Sequence, residues 1–166
     1  FFLLSYLENW NDIHKPIPSR FYSAHMCFGD GSFATDVQHD PQLYFHGEEI
    51  SIAARAYTHG YDLFHPHRVI LWHEYTRQNR IKHWDDHNTN EINDKSHLRC
   101  RILFEMDGMK RDNKDFGKYG FGNKRTLRDY EKYAGICFNN RGAQQYTLDK
   151  KYPPNPQIPD DEFEKS

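Results

Sequence analysis

The residues best suited to chemistry lie between His39 and Arg77, in HDPQLYFHGEEISIAARAYTHGYDLFHPHRVILWHEYTR. Two adjacent carboxylates, Glu48 and Glu49, follow His46 and Gly47 directly. His65, His67 and His73 flank a short apolar run, Val69 to Trp72. Carboxylates take up and release protons, and imidazoles do so near neutral pH or bind metal. A glycine ahead of the acidic pair lets a ligand approach the backbone closely. Glu48 and Glu49 therefore read as a site for sugar hydroxyls or for a general base. The plainer reading is acidic decoration of a helix N-terminus, worth ~0.3–1 kcal/mol. His83 and His87 stand one helical turn apart and invite a zinc reading. The Glu of a zincin H-E-x-x-H is missing between them, where the sequence is Trp84-Asp85-Asp86, and hydrogen-bonded loop histidines are the plainer alternative.

A helix must carry the acidic pair. Ile50, Ala53, Ala54 and Tyr57 recur at i, i+3, i+4 and i+7, one face of a helix that starts at Glu48 and stops at Gly60. Arg20 to Phe28, Tyr61 to Phe64 and Val69 to Trp72 read as strands, and Gly29-Asp30-Gly31-Ser32 as a turn. Phe33 to Val37 is either one helical turn or a strand end. A second helix is expected over Asn90 to Phe104, with Leu98, Ile102 and Leu103 buried. Residues 107–125 read as loop. Thr126 with Asp129 three residues on forms a capping box, opening a third helix that ends at Gly135. From Asp149 the chain is proline-rich and acidic, so residues 1–148 are expected to form one unit and 149–166 an extended tail.

At 166 residues the chain has the length of a single domain with one core. A net charge of -2 gives no general attraction to nucleic acid or an anionic membrane. A mean hydropathy of -0.99, with no long apolar run, argues against a membrane-spanning helix. Cys27, Cys100 and Cys137 lack C-x-x-C spacing and are expected to be buried, reduced thiols, which places the protein in the cytoplasm.

The order S-A-H-M-C-F-G-D-G-S-F (23–33), D-P-Q-L-Y-F-H-G-E-E-I-S-I-A-A-R (40–55) and H-G-Y-D-L-F-H-P-H-R-V-I-L-W-H-E-Y-T-R (59–77) resembles a known family. These are the N-acetylglucosaminyltransferases that modify hydroxyproline in a ubiquitin-ligase adaptor of protists, with bacterial relatives. K-Y-G-F-G-N-K-R-T-L-R-D-Y-E-K-Y-A-G-I (118–136) resembles the C-terminal part of the bacterial members, and the likeness covers most of residues 20–140. More remotely the chain is similar to polypeptide N-acetylgalactosaminyltransferases, which share an A-G-G-L-F strand, a D-P-x-x-x-x-W-G-G-E-N loop and a V-x-H strand end.

The resemblance implies an α/β fold, the C-terminal part of a GT-A, Rossmann-like nucleotide-diphosphosugar transferase. The implied activity is retaining transfer of N-acetylglucosamine from UDP-GlcNAc to a hydroxyl of a protein or saccharide, with Mn²⁺ or Mg²⁺. His73 matches the metal histidine. Glu48 matches the Glu of the W-G-G-E-N loop, and Glu49, His46 and Phe45 replace its Asn, first Gly and Trp, beside Gly47. Ser23, Ala24 and His25 match the A-G-G strand near the donor sugar, where His25 is bulkier than the glycine it replaces. Trp72, Tyr75 and Arg77 flank the metal histidine, and Arg77 suits pyrophosphate recognition in its fork. The Asp-x-Asp of such enzymes has no counterpart here, which leads to the expectation that the chain is the catalytic and acceptor half of a longer transferase. A non-catalytic carbohydrate-binding or interaction module derived from this fold is the alternative.

Overall fold

The computed structural model describes residues 10–74, 76, 78, 80–82, 84–85 and 88–164. Its centre is α2 (Glu48–His59), which the surrounding chain covers on nearly every side: Ser51, Ile52, Ala53, Ala54, Arg55, Ala56 and Thr58 are all buried. The sequence periodicity foresees a one-sided helix, but three alanines and two small hydroxyls let neighbouring segments pack close all round. Gly47 and Gly60 bound α2, with φ of 99° and 98°.

Two other helices pack around α2. Leu103 at the end of α3 (Thr89–Leu103), with Phe104, Phe116, Tyr130, Ala134 and Ile136, closes a core on Ala53 and Ala54. The opposite face of α2 puts Ile52 and Ala56 against Val37, just past the single turn α1 (Phe33–Asp36). Within the core Phe104 stacks on Phe138 at 3.9 Å. Helix α5 (Leu127–Ala134) opens with the expected capping box: Asp129 N–H donates to Thr126 Oγ1 at 3.1 Å and Thr126 N–H donates to Asp129 Oδ2 at 2.7 Å. Tyr133 of α5 stacks on Tyr57 of α2 at 4.9 Å.

Extended structure is scarce. β1 (Ile17–Pro18) pairs antiparallel with β2 (Phe64–His65), and β3 (Ile136–Cys137) with β4 (Gly142–Ala143). Among the described residues these two ribbons are the only sheets, so mixed helix and short strand is observed without a parallel, Rossmann-like sheet. The strands expected over Arg20–Phe28 and Val69–Trp72 are absent, and only Phe64 of the expected Tyr61–Phe64 strand is in a ladder. A strand needs a neighbour for its backbone groups. The carbonyls of Ser19 and Arg20 are taken instead by the hydroxyls of Tyr133 and Tyr130. Val69, Ile70, Leu71 and Trp72 all lie exposed, with Trp72 86% accessible.

Arg55 is the largest fully buried side chain. It donates to the carbonyls of Gln38, Lys118 and Gly120, tying α2 to segments far away in sequence. The 107–125 stretch is not plain loop. It contains α4 (Asn113–Phe116) and tight turns, and it supplies two of the carbonyls that Arg55 needs.

The tail after α6 (Gln145–Leu148) runs without regular structure past its prolines, then forms one turn, α7 (Asp160–Phe163). It is tethered: Phe163 is 3% exposed, Asn155 donates to the carbonyls of Lys132 and Tyr133, and Arg20 donates to Lys151 O and Asn155 Oδ1. Cys137 is buried and Cys100 nearly so, whereas Cys27 is exposed, against expectation, because no strand forms around it. All three are free thiols. Among the described residues no helix is long and apolar enough to cross a membrane.

Candidate functional site

The site is assembled where the 40–47 loop enters α2. Helix α3 is its platform. Ser96 Oγ donates to His46 O at 2.9 Å and accepts the Tyr44 N–H at 3.0 Å. Arg99 Nε meets Asp40 Oδ2 at 2.6 Å, a pair almost removed from solvent. Cys100 Sγ lies 3.7 Å from Gly47 O. The inward face of α3 is therefore Ser96, Arg99, Cys100 and Leu103. Leu98, expected inside, is 46% exposed. Small and polar residues replace leucine there because the partner is a loop with backbone groups to satisfy, not an apolar surface.

Gly47 is doubly constrained. Its φ of 99° disfavours any side chain, and a Cβ would stand 2.7 Å from Cys100 Sγ. This close approach of loop and helix delivers Glu48 to the first turn of α2.

The two carboxylates have different surroundings. Glu49 Oε1 accepts the Ala24 N–H at 2.7 Å and so holds the 23–25 loop against α2. Glu48 Oε2 is buried and has no hydrogen-bond partner among the described residues. Burial pushes the Glu48 carboxyl above the usual carboxylate range, a hydrogen bond from its own backbone N–H opposes this, and the neighbouring Glu49 charge adds a smaller push upward. Cys100, beside it, is pushed up to about 12, first by burial and then by the Glu48 and Asp40 charges, which makes it an inert thiol at neutral pH. A buried carboxyl oxygen without a partner is costly unless a ligand supplies the missing hydrogen bond.

The loop that leads into Glu48 carries rings. Phe45, 44% exposed, packs edge-on to His46 at 4.8 Å and faces Trp84 at 6.3 Å. His46 lies 5.8 Å from His97, and burial followed by the His97 charge lowers its pKa. On the other side Ser23 Oγ bonds His25 Nδ1 at 2.8 Å, and the His25 ring meets His73 edge to face at 4.5 Å. The structure thus links Ser23, Ala24, His25, Glu49 and His73 in one set of contacts, and Phe45, His46, Gly47 and Glu48 in the adjoining loop. Trp72 projects into solvent beside His73. Tyr75 and Arg77 lie outside the described residues, as do His83 and His87 of the zinc reading.

Imidazole donors suit a divalent transition ion such as Mn²⁺ and do not suit Mg²⁺, which demands oxygen ligands. Among the described residues no three His, Cys, Asp or Glu side chains converge on one point.

Four wall residues escape sequence reasoning: Ser96, His97, Cys100 and Trp84. The spacing of Ser96 and Cys100, one helical turn apart, is the signal that could have found them. A separate cavity of about 330 Å³, lined by Arg111, Phe121, Gly122, Lys124, Arg125 and Leu127 among others, opens at the other end of α2. At about 1.5 Å per residue the twelve-residue helix puts it roughly 16 Å from Glu48.

Comparisons with curated proteins and with solved structures return no match. A family model described as glycosyltransferase (GlcNAc) does match, over residues 4–140. That span takes in the loop, the acidic pair, α3 and the capping box of α5, and with most of the chain inside it the protein belongs to the GlcNAc glycosyltransferase family.

Proposed function

We propose that this chain carries the sugar and acceptor site of a retaining, GT-A-type glycosyltransferase that moves N-acetylglucosamine from UDP-GlcNAc to an acceptor hydroxyl. One observation carries the reading: the buried, unpartnered Oε2 of Glu48, at the entry to α2 in a chain of this family. That oxygen has the chemistry to bind a sugar hydroxyl. Burial holds the carboxyl above the usual carboxylate range, and its oxygens can accept hydrogen bonds from sugar hydroxyl groups.

Glu48 orients the transferred sugar and is not the base. In a retaining transfer the bond from the anomeric carbon to the diphosphate oxygen breaks, and a bond to the acceptor oxygen forms on the same face. The acceptor proton passes to an oxygen of the departing UDP. Phe45 and Trp84 offer flat faces for stacking a sugar ring, and Gly47 lets the ring approach the backbone. Glu49 keeps the Ser23–His25 loop beside the donor by holding the Ala24 N–H. His73 would hold a divalent cation, which would supply charge neutralisation of the leaving diphosphate. The acceptor is a protein hydroxyl, hydroxyproline included, or a saccharide hydroxyl, and nucleic acid has no part in it. A cytoplasmic setting belongs to the same reading and is supported by the three free thiols.

The test is transfer from UDP-GlcNAc in the full-length protein with and without Glu48→Gln. Sugar transfer should fall sharply while UDP binding is retained. Unchanged turnover would remove Glu48 from the reaction, and sugar binding indifferent to both UDP and metal would favour a carbohydrate-binding module instead.

A further inference from the structure

Three buried side-chain atoms have no hydrogen-bond partner among the described residues: Arg20 Nε, Glu48 Oε2 and Asn93 Oδ1. Arg20 spends its other two nitrogens on Lys151 O and Asn155 Oδ1, tying down the tail. The remaining two atoms border one loop. Asn93 lies on α3 three, four and seven residues before Ser96, His97 and Cys100, so the four share one face of that helix. Ser96 serves the backbone of Tyr44 and His46, and Cys100 Sγ lies against Gly47 O, next to Glu48. Asn93 stands one turn nearer the start of α3. There Thr89 Oγ1 donates to Trp84 O at 3.3 Å, and Trp84 faces Phe45. A polar residue turned to this loop would ordinarily bond its backbone, as Ser96 does. Asn93 Oδ1 does not, and a buried acceptor left open is costly unless a ligand donates to it.

We infer that Asn93 recognises the acetamido group of the transferred sugar, its Oδ1 accepting the amide N–H while Glu48 Oε2 accepts from a hydroxyl of the same sugar. From Cys100 to Asn93 is seven residues, roughly 10 Å of helix, a span comparable to one pyranose ring with its acetamido arm. An oxygen that only accepts suits a group that only donates. A buried hydroxyl would bring lone pairs that need donors of their own, whereas an amide N–H leaves nothing over. The half-exposed Phe45 ring gives the acetyl methyl an apolar neighbour. The inference rests on the reading that Glu48 holds the transferred sugar. It makes Asn93 a specificity residue, on a helix whose loop-facing side otherwise holds the site together.

The test compares transfer by the full-length protein from UDP-GlcNAc and from UDP-2-deoxyglucose, which has no hydrogen-bond donor at carbon 2. Asn93→Ala should lower kcat/KM for UDP-GlcNAc by about tenfold, the scale of one lost hydrogen bond. With UDP-2-deoxyglucose the same change should stay within about twofold, because the contact is already missing. Asn93→Asp keeps the accepting oxygen and should restore most of the preference. Equal losses with both donors would make Asn93 a structural residue and overturn the assignment, as would an unchanged preference. A binding measurement on the isotope-labelled wild type decides the matter even if Asn93→Ala does not fold. Methyl N-acetyl-β-glucosaminide should shift the Asn93 side-chain amide resonances, and methyl 2-deoxyglucoside should not; unmoved resonances with the first sugar would also overturn it. Transfer from UDP-GlcNAc with a preference indifferent to Asn93→Ala removes Asn93 and leaves the transferase reading standing. Shifted resonances with no transfer from either nucleotide sugar does the reverse.

Discussion

The two ends of α2 are built from similar parts and left in opposite conditions. Each is bounded by a glycine of nearly equal φ, 99° at Gly47 and 98° at Gly60. At the C-terminal end the polar groups are well supplied. Thr58 O accepts the N–H groups of Lys124 and Arg125, Thr58 Oγ1 accepts that of Gly122, and the Gly60 N–H returns to Tyr57 O. At the N-terminal end Glu48 keeps a buried oxygen with no partner, and the loop before it is pressed so closely on α3 that no side chain fits at position 47. A helix terminus used only for folding is finished with capping bonds. A buried carboxyl oxygen left unpartnered among the described residues is the physical ground on which we propose the site at Glu48.

The contrast can be broken from its strong side first. Glu48→Gln should reduce transfer by about a hundredfold, the scale of a substrate held out of its reacting position. Lys124→Ala, at the other end of the helix, should leave turnover within about twofold. Steady-state kinetics on both variants tests the pair, and similar losses would erase the distinction.

The glycines come next. Gly60→Ala meets only the flexible Lys124 side chain at 3.4 Å and should cost about 1–2 kcal/mol for the left-handed backbone. Gly47→Ala adds a collision with Cys100 Sγ and should cost about 4 kcal/mol by denaturant unfolding. Adding Cys100→Ala should recover part of that loss, a coupling that Gly60→Ala should not show. Ser96→Ala should be milder, about 1–3 kcal/mol, because it strips a bonding partner from both Tyr44 and His46.

The smallest effect is in pH dependence. The Glu48 pKa is raised in the folded protein, so between the ordinary glutamate value of 4.5 and the higher folded value the native state binds more protons than the unfolded chain. Stability from this group is therefore fully present below that window and lost as pH rises through it. The stability difference between wild type and Glu48→Gln should shift in favour of the variant across that range, measured by thermal unfolding from pH 4 upward. A difference that does not change with pH would mean that the carboxyl is not desolvated.

Local signals proved readable wherever neighbouring residues in the chain decide the structure. The start of α2 at Glu48, its stop at Gly60, the span of α3 and the Thr126–Asp129 box all depend on contacts within a turn or two, and all are found close to where the sequence put them. Misjudged elements depend on distant partners. Val69–Trp72 has strand composition and no ladder, and α3 keeps Ile102 and Leu103 on the core as expected but turns Ser96, Arg99 and Cys100 inward while Leu98 lies exposed, because a loop lies against that part of the helix.

By itself the sequence determined which side chains were available for chemistry, the family to which their order belongs, and the helix that carries Glu48. The tertiary structure decided which of two adjacent glutamates is occupied by Ala24 and which stays open, and it set His25 against His73. Those outcomes follow from through-space hydrogen bonding and burial, and adjacent residues with one side-chain chemistry differ only in what the fold places beside each of them.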